Sequence, residues 1–181
     1  MKYTNRASSA ILVAGLKGLY KKQTKTSPEN ILDALLSQYD STAIKLLHYV
    51  GGHRNIIYST LRSRSEQREK PFMQSDPEAS TWTIQEQLDD FRLFIEQYHQ
   101  QDLEKQPDFN NVTLNMLWLM ADETLALASK EMQNFGHDVL GTEHLLIAVS
   151  KNGGLTQQIL NDHGVYSDEL SSKLNAILNG P

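Results

Sequence analysis

An internal repeat constrains the fold of this chain more than any other feature of its 181 residues. Apolar residues and one acid recur at an offset of 114, in the pairs Ala7 and Ala121, Ile11 and Leu125, Ala14 and Ala128, Glu29 and Glu143, Leu32 and Leu146, and Ala34 and Ala148. After a one-residue deletion the offset becomes 113, in the pairs Leu47 and Leu160, Gly51 and Gly164, Ile57 and Leu170, and Leu61 and Leu174. Such self-similarity is typical of a duplicated structural unit. Because each copy is too small to bury its apolar faces well alone, we expect the copies to pack together.

The first copy, residues 3–62, has the pattern of four helices. Thr4 is expected to cap the first helix, and Ser27-Pro28-Glu29 starts the second with a capping hydroxyl, a proline and an acid. Asp40-Ser41 opens the third helix, and Gly51-Gly52 closes it. A fourth helix carries Ile56, Ile57 and Leu61. Since no strand-like alternation competes with this pattern, we predict an all-α fold.

The second copy, residues 109–179, repeats this order of helices. Its first helix is expected to run from about Asn111 to Asn134. Thr142 is expected to cap the next helix with its hydroxyl, and Glu143 then places a negative charge where the helix dipole is positive. The apolar run 145–149 indicates that this helix is buried.

The segment between the copies, residues 63–108, is expected to be a linker followed by an inserted helix. The stretch 62–81 is polar, charged and interrupted by two prolines, which favours a flexible linker. A helix near 83–100 then carries an apolar stripe made of Ile84, Leu88, Phe91, Ile95 and Tyr98. This stripe suits docking on the domain's own surface, which is the commoner outcome, or a partner or dimer helix.

Composition excludes several classes of function. The net charge of −5 and the pI near 5.6 argue against nucleic-acid binding, which normally requires a basic surface. The absence of cysteine excludes disulfides and thiolate catalysis, and fits a location in the reducing cytoplasm. No window approaches 18 uninterrupted apolar residues, so we expect no membrane span.

The sequence carries no catalytic constellation, and we predict neither enzyme activity nor a cofactor. There is no phosphate-binding Gly-x-x-x-x-Gly-Lys-Ser/Thr motif and no Gly-x-Ser-x-Gly nucleophile motif. His137 and His144, with Asp138 and Glu143 beside them, could be imagined as a metal site. They lack the His-Glu-x-x-His spacing of metalloenzymes and flank a loop, so a structural or solvated role is favoured and no metal is predicted.

These patterns together resemble the Clp N-terminal (Clp repeat) domain of the Clp-type AAA+ unfoldases. The motifs that carry the resemblance in the second copy are Gly136-His137, Gly141-Thr142-Glu143-His144-Leu145-Leu146 and Leu160-x-x-x-Gly164. The first copy is degenerate, since Tyr3-Thr4-x-x-Ala7 matches the family's opening but Ser27-Pro28-Glu29-Asn30 replaces Gly-Thr-Glu-His. The resemblance covers residues 3–62 and about 117–179, without an ATPase module. It implies two pseudo-symmetric four-helix repeats packed together.

The resemblance also implies a role in protein binding. Such domains receive substrate proteins or adaptors ahead of the ATPase ring, so the implied partners are Clp substrates, an adaptor, or Clp ATPase or protease subunits. In some members the repeat glutamates and the threonine opening each repeat form pockets for phosphorylated arginine. By position, Thr4 with Glu29 would form the first pocket and Glu143 the second, where Trp118 replaces the threonine.

Other interpretations of the same residues stay open at this point. One alternative is that Glu29 and Glu143 serve only as negative charges at helix N-termini, where they interact favourably with the helix dipole. The chain could also be a peptidase with an unrecognised site, or a stand-alone helical interaction protein unrelated to proteolysis. A helix-turn-helix arrangement around Gly164 is disfavoured by the acidic charge.

Overall fold

The computed structural model describes residues 2–21, 23, 26–69 and 122–179. Within these ranges the helices are α1 (Asn5–Tyr20), α2 (Pro28–Leu36), α3 (Thr42–Tyr49), α4 (Arg54–Glu69), α5 (Asp122–Asn134), α6 (Thr142–Lys151), α7 (Gly154–Asp162) and α8 (Ser167–Asn179). Two short strands, β1 (Lys2–Tyr3) and β2 (Val139–Leu140), pair in parallel. The predicted all-α class is confirmed. None of the described helices combines the length and the apolar character needed to cross a membrane.

The helices of the first repeat begin where the capping residues predict. The hydroxyl of Thr4 accepts a hydrogen bond from the backbone N–H of Ala7 at 3.2 Å. Ser27 caps α2 and Ser41 caps α3 in the same way, each with its side-chain oxygen. Each hydroxyl satisfies a backbone donor that has no partner inside its own helix.

Helices α1 and α2 pack side by side as an antiparallel pair. Near the C-terminal end of α1, Lys17 forms an ion pair with Asp33 at 2.5 Å. Near its N-terminal end, the Gln38 side chain donates to the backbone oxygen of Arg6 at 3.0 Å. The N-terminus of α2 therefore lies beside the C-terminal end of α1.

The duplicated sequence produces duplicated turns. The turn after the first helix of each repeat closes with equivalent bonds, from Gln23 N–H to Gly18 O at 2.9 Å and from His137 N–H to Met132 O at 3.0 Å. The turn after the third helix does the same, from Gly52 N–H to Leu47 O and from Val165 N–H to Leu160 O, both at 2.9 Å. Gly51 and Gly164, which precede Gly52 and Val165, have φ angles of 81° and 74°. These angles lie in the left-handed region that favours glycine. The offsets of 114 and 113 are thus confirmed in three dimensions.

The two repeats share one hydrophobic core. The central helices α2 and α6 pack against each other, and Leu32, Leu35, Leu146 and Ile147 are at most 1% exposed. The outer contacts also cross between the copies, since α3 packs on α6 and α8, and α4 packs on α7. The expectation that the copies pack together is confirmed.

The structure differs from the sequence-based expectations at two places. The strands were not predicted, because two residues are too few to show a period. Helix α4 continues to Glu69, so the prediction of a linker beginning at Arg62 is wrong for residues 62–69. No proline or glycine interrupts that stretch, and Arg64 ties it to Asp162 of the second repeat at 2.8 Å.

Several predictions fall outside the described residues. These are the apolar stripe from Ile84 to Tyr98, the linker beyond Glu69, the start of the long helix before Asp122, and Trp118. The predicted end of the long helix at Asn134 agrees with the observed end of α5.

Candidate binding site at the second-repeat loop

The loop between α5 and α6 holds most of the candidate residues. Helix α5 ends at Asn134, and Gly136 reverses the chain with a φ of 68°. Strand β2 follows and pairs with β1, in the register Lys2 to Val139 and Tyr3 to Leu140. Gly141 then occupies the N-cap position of α6, so the loop connects the N-terminus of the chain to the second repeat.

Glu143 lies in the first turn of α6 with only 13% of its side chain exposed. Its carboxylate folds back over Gly141, where a Cβ atom would overlap the carboxylate. Burial raises the pKa of Glu143, while its own backbone N–H and nearby His137 oppose that rise. The signature Gly-x-Glu thus keeps a partly desolvated carboxylate at the helix N-terminus.

His144 is fully buried, and both of its ring nitrogens are in hydrogen-bonding positions. The backbone N–H of Gly141 donates to His144 Nδ1 at 2.8 Å. His144 Nε2 lies 2.9 Å from His137 Nδ1. Because Nδ1 accepts, the neutral ring must carry its hydrogen on Nε2, which donates to His137. Burial, and next the charge of His137, lower the pKa of His144 to about 4.

This arrangement does not suit a metal ion, although donor atoms of His137, Glu143 and His144 all lie within 4.8 Å of one another. A metal binds a ring nitrogen through its free lone pair. On His144 the Nδ1 lone pair already accepts from Gly141, and Nε2 carries the hydrogen. The geometry therefore supports a hydrogen-bonded structural pair within the described part of the chain.

The first repeat contains the counterpart of the histidine pair. Asn30 Nδ2 donates to Gln23 Oε1 at 2.7 Å. At the offset of 114, Gln23 corresponds to His137 and Asn30 to His144. Neither histidine is present in the first copy, but a hydrogen-bonded side-chain pair occupies the same two positions. Reading the offset at every polar position would have revealed it.

Thr142 does not cap its own helix, so that expectation is wrong. Because Gly141 is the N-cap, Thr142 is the first residue inside α6. Its buried hydroxyl instead accepts from the backbone N–H of Ala43 at 3.1 Å, in the first turn of α3. Thr142 therefore caps a helix of the other repeat.

Thr4 lies beside the second-repeat loop, because its backbone N–H donates to Leu140 O at 3.0 Å. Glu29 lies at the opposite end of α1, since the neighbouring Asn30 faces Gly18. The 16 residues of α1 span about 24 Å. The pairing of Thr4 with Glu29 is therefore wrong, and the structure brings Thr4 towards Glu143.

Glu29 has the same position in α2 that Glu143 has in α6, in the first helical turn and partly buried. The repeat offset assigns position 118 as the counterpart of Thr4, and Trp118 lies outside the described residues. Of the two repeat glutamates, Glu143 is therefore the one whose loop lies beside Thr4.

Comparison with known families bears on the second repeat. Residues 118–180 match the family described as the Clp repeat (R) N-terminal domain. The match includes the loop from Gly136 to Glu143 and helices α6 to α8. No curated protein matches the chain.

Proposed function

Because residues 118–180 match the Clp repeat N-terminal domain family, we propose that the chain is a non-catalytic protein-binding module of the Clp unfoldase system. Its partners are substrate proteins or adaptors, and it acts in the cytoplasm. The observation that carries the proposal is the meeting of Thr4 and the Glu143 loop across the two repeats, through the bond from Thr4 N–H to Leu140 O.

The proposed ligand is an arginine side chain that carries a phosphoryl group, which the family resemblance implies. A phosphorylated arginine carries a guanidinium and a negatively charged phosphoryl group. Its site therefore needs a negatively charged acceptor for the first, and N–H donors or a positive charge for the second. The first turn of α1 offers backbone N–H groups at Asn5 and Arg6, where intrahelical acceptors do not exist. The exposed Arg6 side chain adds a positive charge, which lies 3.9 Å from the Asp40 carboxylate. Glu143, in the first turn of α6, offers the carboxylate.

The surroundings of Glu143 suit recognition of a guanidinium. A carboxylate accepts two parallel N–H bonds from a guanidinium, and these bonds strengthen in a partly desolvated site. The raised pKa of Glu143 reflects such desolvation. A bound cation would stabilise the ionised form and offset part of that cost.

A binding experiment tests the assignment of Glu143. Isothermal titration calorimetry would compare an arginine-phosphorylated peptide with the same peptide unmodified, using wild type, Glu143→Gln, Glu29→Gln and Glu169→Gln. Glu169 is the matched control, because it lies in the first turn of α8 but is exposed. We expect wild type to prefer the phosphorylated peptide, Glu143→Gln to lose about tenfold or more in affinity, as expected for loss of a charge-assisted bond, and Glu169→Gln to keep it.

Equal affinity for both peptides would contradict the phosphoarginine assignment. Unchanged affinity in Glu143→Gln would remove Glu143 from the site. The broader role is tested by affinity capture from lysate of the source cell, with captured proteins identified by mass spectrometry. Failure to enrich a Clp ATPase, protease subunit, adaptor or known client would contradict the module role. Turnover of ATP or peptide by the purified chain would contradict its non-catalytic character.

A further inference from the structure

The two repeats differ in one chemical respect at equivalent positions: one side-chain pair can take up protons and the other cannot. In the second repeat, Gly141 N–H donates to His144 Nδ1 and His144 Nε2 lies 2.9 Å from His137 Nδ1. In the first repeat, the pair is made of the uncharged amides of Asn30 and Gln23. The first repeat therefore serves as an internal control for the effect of protonating the histidine rings.

Every route for adding a proton to the histidine pair breaks a hydrogen bond. Neutral His144 carries its hydrogen on Nε2, and His137, whose Nδ1 accepts that hydrogen, carries its own on Nε2. The ring lone pairs that could take up a proton are therefore those of His137 Nδ1 and His144 Nδ1, and each of them already accepts a hydrogen bond. Protonation at His137 Nδ1 would set two N–H groups against each other, and protonation at His144 Nδ1 would do the same with Gly141 N–H.

The bonds that protonation breaks hold the loop that anchors the N-terminus. His137 and Gly141 flank β2, whose pairing with β1 brings Thr4 N–H to Leu140 O. His137 itself is partly exposed, so protons from solvent can reach it, whereas His144 is fully buried. Uptake of a proton is thus coupled to the contact between the N-terminus and the second repeat. This contact, called the seam here, consists of the β1–β2 pairing and the bond from Thr4 N–H to Leu140 O.

Ionisable side chains lie on each of the elements next to the pair. Besides the two histidines, the described ones are Asp138 on the loop, Lys2 and Tyr3 on β1, Glu123, Lys130 and Glu131 on α5, Glu143 and Lys151 on α6, and Lys45, His48 and Tyr49 on α3. Those of Glu123, Lys130, His48 and Tyr49 are exposed. Asp138, Lys2 and Lys45 are exposed, and Lys151 is paired with Glu131 at 3.0 Å. Glu143 Oε1 lies 3.5 Å from His144 Nδ1, so this carboxylate faces the buried ring. A proton added at that nitrogen would still displace the bond from Gly141 N–H.

We propose that the pair of His137 and His144 is a proton-sensitive latch, which at neutral pH holds loop 135–141 on β1 and which opens this seam when either ring is protonated. The equivalent turn of the first repeat stays closed, because its amide pair does not titrate. The latch rests on this hydrogen-bond geometry and holds whether or not the proposed ligand is correct.

Nuclear magnetic resonance of the whole chain tests the latch directly. Long-range ¹H–¹⁵N spectra at pH 7.5 should show His144 as the Nε2–H tautomer. Hydrogen-exchange protection of the Thr4 and Gly141 amides, corrected for intrinsic exchange rates, should fall tenfold or more between pH 7.5 and 5. Protection of the Gly52 and Val165 amides, in the turns after α3 and α7, should not change.

The control variant transplants the pair of the first repeat, as His137→Gln with His144→Asn, and should lose the pH dependence of Thr4 protection. Should that variant not fold, His137→Gln alone keeps an acceptor for His144 and should move the loss of protection to lower pH. The latch is overturned by an Nδ1–H tautomer of His144, by Thr4 protection that does not depend on pH, or by an equal loss at Gly52 and Val165. Retention of the wild-type pH dependence by the His137→Gln variants would overturn it as well.

Discussion

Gly141 is needed for the space it leaves rather than for its backbone conformation. Its φ of −99° is open to any residue, but a Cβ atom there would overlap the Glu143 carboxylate. The overlapping atoms are the flexible end of a side chain, so a larger residue would displace the carboxylate before it disturbed the backbone. Glycine and glutamate at these positions therefore act as a unit.

Gly141→Ala is expected to push the Glu143 carboxylate into water. The pKa of Glu143, measured from its side-chain carboxyl resonance, should fall towards the ordinary glutamate range, because burial is what raises it. The free energy of unfolding should change by less than about 1 kcal/mol. Gly18→Ala is the control, since a Cβ there meets its nearest neighbour at 3.4 Å and should leave the pKa of Glu143 as it is. An unchanged pKa in Gly141→Ala would contradict this account.

Glu143→Gln is expected to stabilise the protein at neutral pH. Because the pKa of Glu143 is raised on folding, the folded state binds the proton more tightly than the unfolded state. Stability is therefore lost as the pH rises through the range between the unfolded and the folded pKa. Differential scanning calorimetry should show a higher melting temperature for the variant at pH 7 and a smaller difference near pH 3. A lower melting temperature at pH 7, with Glu169→Gln unchanged, would contradict the prediction.

His144 should make stability depend on pH in the opposite direction. Its pKa is lowered from 6.5 to about 4 on folding, so the unfolded state binds the proton more tightly. Stability is fully present above the unfolded value and is lost as the pH falls from about 6.5 to about 4, by roughly 3 kcal/mol in all. Urea unfolding at pH 7.5 and 4.5 measures this loss. His144→Asn combined with His137→Gln should reduce it, and an equal loss in that variant would assign it to other groups.

At the scale of elements, α3 begins with two hydroxyl caps from different repeats. Ser41 accepts from Ile44 N–H within α3, and Thr142 accepts from Ala43 N–H across the core. The first cap follows from local sequence. The second depends on how the repeats pack. Local sequence does not contain that information, and it therefore predicts Thr142 as the cap of its own helix.

Thr142→Val should destabilise the protein by about 1–2 kcal/mol, because it keeps the shape of the side chain and leaves Ala43 N–H without its acceptor. Urea unfolding at pH 7.5 measures the change. Thr42→Val is the matched control, since Thr42 begins α3 but is exposed, and it should change stability by less than about 0.5 kcal/mol. Equal effects of the two substitutions would show that the cross-repeat bond contributes nothing.

At the scale of the whole molecule, the sequence predicts what is local and what is repeated. The repeat offset predicts the helix order, the glycine turns and the shared core, because apolar periodicity and caps are written in each copy. It does not predict that Thr4 lies beside the loop that precedes Glu143 rather than beside Glu29, because that position depends on the parallel pairing of two-residue strands. The sequence places His137 and His144 close together in the chain. The direction of the hydrogen bond between them follows only from the position of Gly141 N–H, which donates to His144 Nδ1.

The proposed binding site joins the N-terminal end of α1, which begins next to Thr4, to Glu143 of the second repeat. Two double-mutant cycles test it most directly. The affinity of an arginine-phosphorylated peptide is measured for Thr4→Ala, Glu143→Gln, Glu29→Gln and the two double variants that contain Thr4→Ala. We predict a coupling of about 1 kcal/mol or more between Thr4 and Glu143, and additive effects within about 0.5 kcal/mol for Thr4 with Glu29. Additive effects for Thr4 with Glu143, together with coupling between Thr4 and Glu29, would contradict the claim.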